Sequence, residues 1–122
     1  MARPELKPMG SRRWVWAYMA DVATPSSAFA IAPCRGRIVK AGTVAYGVTN
    51  GNAAFTLKIA GTAVTGAAWT IATTGAAGDV DSATPTAKST TYVNEGDNIE
   101  FITDGAGSTV VPAMCWAEIE MD

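Results

Sequence analysis

Histidine is missing from the chain. With it go the usual general base, the Ser-His and Cys-His nucleophile pairs and the commonest metal ligand. Cysteine appears twice, as Cys34 and Cys115, with no CxxC spacing. That excludes a paired-cysteine zinc site, and two such thiols read as free and buried. Neither GxxxxGK[ST] nor GxGxxG occurs, so the familiar phosphate-cradling loops are absent. No apolar run approaches the roughly 20 residues needed to cross a bilayer, so a membrane is not expected as a partner. The basic start MARPELKPMGSRR leads into no signal-peptide h-region, so secretion by that route is not indicated. No stripe of Lys and Arg alternates with aromatics, and the net charge is −2, which argues against nucleic acid. Leucine is nearly absent as well, with Leu6 and Leu57 alone.

What fills the space is ten Val, seven Ile and fifteen Thr, punctuated by twelve Gly. Branching at Cβ stiffens χ1 and suits a pleated surface better than a helix. The chain therefore reads as all-β: one antiparallel β-sandwich or jelly roll of about eight short strands, since 122 residues leave room for one domain. Alanine, at 23 copies, buries little area per residue, so the expected core is thin. Oligomerisation or docking on a larger surface is the simplest further source of stability.

Charge is lopsided. Residues 1–58 hold eight of the nine Lys/Arg and two acids, whereas residues 79–122 hold Lys88 and nine acids. The division suits a molecule with complementary ends or faces. It suits equally a sandwich in which strands from both halves interleave and the charges mix.

Residues 1–12, with Pro4, Pro8 and Gly10, read as an extended N-terminal arm, and residues 13–122 as the sandwich domain. Trp14, Trp16 and Tyr18 share one face of the next strand and Val15, Ala17 and Met19 the other. A strand apolar on both faces lies inside a sandwich or under a partner subunit. Further strands are expected at 28–32, 37–48, 55–59, 63–65, 68–73, 90–93, 99–103 and 109–121. Thr49-Asn50-Gly51-Asn52 is a turn carrying the strongest short hairpin signal, and Gly61-Thr62 reverses the chain again. Residues 74–89 read as a long loop. In the last strand Val111, Ala113, Cys115, Ala117, Ile119 and Met121 form the core side. Trp116, beside Glu118 and Glu120, is expected to be partly exposed.

Candidate chemistry is sparse, and no catalytic residue, metal or cofactor is expected. The acids Asp79, Asp81, Glu95, Asp97 and Glu100 sit where solvated turn residues belong, which disfavours a carboxylate pair for glycoside hydrolysis. Asp79-Val80-Asp81 invites calcium, but a lone DxD lacks the other ligands of a calcium loop, and Asp is an ordinary turn former. Trp69 reads as a core residue with a sugar platform as its alternative. The Trp14–Tyr18 strand divides evenly between core and interface.

One stretch points further. IAPCRGRIVKAGTVAYG, AAFTLKIAGTAVTG, TIATTGAAGDVDSATPT and VNEGDNIEFITDG together resemble the capsid decoration (cement, or head-stabilising) proteins of tailed bacteriophages, over about two-thirds of the chain. The arm and the WVWAYM strand lie outside the resemblance. It implies a non-enzymatic virion protein made in the host cytoplasm. Such a protein is often homotrimeric and sits on the outer capsid surface, bridging major capsid protein subunits. Arg3, Lys7, Arg12, Arg13, Trp14, Trp16, Tyr18 and Trp116 are then the candidate capsid or subunit interface. The alternative is a head-fibre, tail or baseplate module that binds a receptor or glycan.

Overall fold

The computed structural model describes residues 11–72, 76–86 and 88–121. Arg3 and Lys7 of the expected arm lie outside the described residues. Among the described residues there are nine strands: β1 (Arg12–Met19), β2 (Ser26–Ile31), β3 (Gly36–Ala45), β4 (Ala53–Ile59), β5 (Thr62–Ile71), β6 (Val80–Ala83), β7 (Tyr92–Val93), β8 (Asn98–Thr103) and β9 (Ala113–Met121). β1 thus begins at Arg12, one residue inside the stretch read as arm.

Two antiparallel sheets pack face to face. Sheet A runs β1-β9-β3-β6, with β7 also paired to β3, and sheet B runs β2-β8-β4-β5. The sequence-distant pairs nest: β1 with β9, β2 with β8, β3 with β6 and β7, β4 with β5. This is one long hairpin rolled across two sheets, the plan of a jelly roll. The tip of the hairpin is the β4–β5 turn. Ile59 pairs with Thr62, leaving Ala60 (φ 48°) and Gly61 (φ 85°) as a two-residue loop. Two successive positive φ angles give the type I′ turn, whose twist matches the strands it joins.

Period-two patterning sets what is buried. Phe55, Leu57 and Ile59 of β4 and Ile99 and Phe101 of β8 point inward from sheet B. Val15, Ala17, Ile38, Cys115, Ala117 and Ile119 meet them from sheet A. Trp69 of β5 belongs to this core. Its ring stacks on Phe55 at 5.6 Å, and its Nε1–H donates to the buried Thr43 Oγ1 at 3.2 Å. Both cysteines are free, with Cys115 buried and Cys34 half-buried.

Four expectations change. Asn50-Gly51 does not close a hairpin, because β3 and β4 lie in different sheets; it carries the chain across the sandwich instead. Asn50 does take a positive φ of 52°, and its Nδ2–H donates to Thr109 Oγ1. The strands expected at 63–65 and 68–73 are one strand, β5, whose pairing with β4 slips around Gly66 (φ 85°). The loop expected at 74–89 contains β6, held by the outer edge of β3 although Val80 and Ala83 are its only apolar residues. Trp116, finally, is 5% exposed, not half-open.

Candidate functional site

Sheet A turns one face to the core and one to solvent, and the solvent face concentrates large apolar side chains. In β1, Val15, Ala17 and Met19 are buried, so Trp14, Trp16 and Tyr18 must project outward. They are 48%, 53% and 57% exposed. Register continues the patch across the sheet. Trp16 lies opposite Trp116 and Tyr18 opposite Met114 on β9, and these face Gly42 and Val44 on β3. Beyond the end of β3, Tyr46 approaches Tyr18 at 6.4 Å between ring centroids. On the far edge, Val80 of β6 pairs with Val44 and is exposed.

Trp116 forms the floor of this patch. Gly42 has no Cβ to hold the indole off the sheet, and Trp116 settles against it with its Cζ2 close by. Trp14 covers it from the other side at 5.2 Å, and Trp14 and Trp16 stack at 6.2 Å. The glutamates beside Trp116, which suggested exposure, are themselves drawn away by arginines. Arg12 Nη1 lies 2.8 Å from Glu118 Oε2, Arg12 Nη2 lies 3.5 Å from Glu120 Oε2, and Arg37 Nη2 lies 3.3 Å from Glu120 Oε1. Basic β1 and β3 therefore flank acidic β9, and in sheet A the halves of the charge asymmetry interleave. Surface pairs of this kind contribute about 0–1 kcal/mol each, so they set a polar rim more than they stabilise.

Of the sequence-derived interface residues, the structure brings Arg12, Trp14, Trp16, Tyr18 and Trp116 onto one face. Arg13 is exposed on β1 with the opposite parity, toward the edge of the sandwich. Val44, Tyr46, Val80 and Met114 were not singled out from sequence. The signal for the first two was there, in their alternation with buried Thr43 and Ala45. A smaller apolar pair, Phe29 and Ile31, is exposed on edge strand β2 of sheet B.

The two carboxylates at the rim of the face, Glu118 and Glu120, are both engaged by arginines. Asp79 accepts from the Ala76 N–H at 2.8 Å, the bond of a turn residue. Burial, and then Asp79, hold the Asp81 carboxyl above its usual range. Cys115 is buried, and burial pushes its thiol up to about 12. A thiol held neutral in this way is a poor nucleophile. Among the described residues no three Cys, Asp or Glu side chains are grouped to hold a metal ion. The arrangement is a row of aromatic rings on a hydrogen-bonded sheet with a charged rim.

No protein-family model, curated protein or solved structure matches the chain.

Proposed function

We propose that this chain is a non-enzymatic structural protein of a phage particle, a decoration module that binds the outer surface of the assembled head. In this reading the solvent face of sheet A docks on major capsid protein and bridges its subunits. The observation that carries it is the row of solvent-facing rings, Trp14, Trp16 and Tyr18, closed by Tyr46. Contiguous exposed apolar surface on a small domain marks a contact site, and Trp and Tyr are the side chains that most often dominate interface energy. Binding the assembled shell but not free subunits stabilises the shell by linkage. Arg13 and the basic residues preceding it supply charge for acidic capsid patches.

Co-sedimentation with empty shells tests the reading. Saturable binding is expected, together with higher heat resistance of decorated shells. Trp16→Ala should weaken binding while changing the unfolding free energy by about 0.5 kcal/mol or less, as is usual for surface positions. Trp14→Ala should weaken it too, with a larger loss of stability because it uncovers Trp116. Shells that neither bind the chain nor gain heat resistance would overturn it.

The stacked Trp14–Trp16 pair also favours a second reading, a head-fibre, tail or baseplate module that stacks sugar rings. Saturable polysaccharide binding, lost in Trp14→Ala, would select it over decoration. Trp69 takes no direct part in either, since it is buried in the core.

A further inference from the structure

A sandwich of two open sheets has four edges, one of them shared here by β6 and the two-residue β7, and each exposes unpaired backbone unless something blunts it. Three are blunted here. β6 is four residues long. β2 is six residues long, with Pro25 before it and Pro33 shortly after it. β5 is broken by the slip around Gly66. β1 is the exception: eight residues without Pro or Gly, paired to β9 from Arg12 to Met19 with no register shift.

Parity fixes which groups the open edge presents. The Met121 N–H donates to the Ser11 carbonyl at 3.0 Å, so Ser11 and Met121 form a hydrogen-bonded pair. Such pairs alternate along an antiparallel ladder, so Arg13, Val15, Ala17 and Met19 bond inward to β9. The N–H and C=O groups of Arg12, Trp14, Trp16 and Tyr18 then point away from the sheet. Among the described residues no strand pairs with that side of β1.

We infer that β1 is the interface with a second copy of this chain, joined antiparallel about a two-fold axis at Trp16. This register sets Trp16 against the partner's Trp16 and Trp14 against the partner's Tyr18. Both are hydrogen-bonded pairs of correct parity. All the rings stay on one face, so sheet A runs unbroken through both copies. Charge is complementary end to end: Arg12 and Arg13 at the start of one strand lie beside the Ala20–Asp21 end of the other. A parallel or in-line arrangement would bring the arginines of the two copies together. The pairing stands whether or not the chain binds a capsid, and it differs from the three-fold assembly that the decoration-protein resemblance implies.

Sedimentation equilibrium of the full chain should give twice 12.6 kDa. Trp16→Lys places two ammonium groups on the axis and should halve that mass, with unchanged far-UV circular dichroism. Register is read by a short thiol-reactive crosslinker in a Cys34→Ser background. Trp16→Cys should couple to itself, because paired Cα atoms sit about 5.5 Å apart. Trp14→Cys should not couple to itself, because its copies lie four residues apart, about 13 Å along the strand. It should couple when mixed with Tyr18→Cys. A parent mass of one or three chains, a folded Trp16→Lys chain that keeps the doubled mass, or self-coupling of Trp14→Cys as efficient as that of Trp16→Cys would each overturn the inference. Loss of shell binding with the doubled mass intact would bear on the decoration reading alone.

Discussion

Trp116 rests on Gly42: a Cβ built at position 42 falls 2.7 Å from the Trp116 Cζ2, and closer still to the backbone of Asp81. The glycine therefore does two jobs, letting β6 approach β3 and letting an indole lie flat. Gly42→Ala should lower stability by about 1–3 kcal/mol, the range for overpacking a close-fitting site. It should also lift Trp116 toward solvent. Urea unfolding measures the first, and a red shift in tryptophan emission the second.

The Phe55–Trp69–Thr43 cluster ties the two sheets together. Phe55→Ala should cost about 3–5 kcal/mol, as for large buried aromatics elsewhere. Trp69→Phe keeps the stack but leaves the buried Thr43 hydroxyl without its donor, a loss of about 1–3 kcal/mol. A double-mutant cycle with Thr43→Val separates that hydrogen bond from packing. A coupling energy of zero would deny the bond any role.

Cys115 gives the chain a signature in alkali. Burial raises its thiol from an ordinary value of 9.0 to about 12. Stability from keeping it neutral is complete below pH 9 and is lost as pH rises through 12. Thermal midpoints should therefore decline more steeply above pH 9 in the parent than in Cys115→Ala. At pH 8 a thiol reagent should label Cys34 alone, with Cys115 reacting only after denaturation.

Asp81 and Asp21 respond to acid with opposite signs. Asp81 is raised, first by burial and then by Asp79, so its contribution is present below its unfolded value and fades as pH rises through the folded one. Asp21 is lowered, first by the Thr24 hydroxyl and then by the Ala23 N–H, so its contribution holds at neutral pH and fades on acidification. Asp81→Asn should therefore raise the unfolding midpoint at pH 7 and make the chain more acid-sensitive than the parent. Midpoints from pH 3 to 7 check both.

Local periodicity made much of this fold legible. Phe55, Leu57 and Ile59 alternate cleanly because one face of the strand meets the core and the other meets water, and the Val111-to-Ile119 series keeps the same period, with Trp116 covered on the opposite face. The all-β class and the two-sheet plan followed from the same patterning. What failed was non-local. Asn50-Gly51 has the composition of a hairpin, but the sheet that β4 joins is chosen by β8, some forty residues on. The stretch around β6 has little apolar content, and the strand exists because β3 offers it an edge. Trp116 was misjudged from its neighbours Glu118 and Glu120, because the partners that matter, Gly42 and Trp14, lie on other strands. For the interaction face, the Trp14–Tyr18 row was visible, yet its exposure depended on sheet A being an outer layer whose second face meets solvent.

The nested pairing has a consequence in time. Arg12 meets Glu118 across 106 positions of chain, so β1 finds its neighbour only in β9. Ring closure over so long a span is entropically unfavourable until the shorter inner pairs have formed. Assembly should zip outward from Ala60-Gly61, and the WVWAYM segment stays unpaired until β9 joins it. A nascent polypeptide would therefore display this aromatic segment to solvent until β9 had emerged from the ribosome.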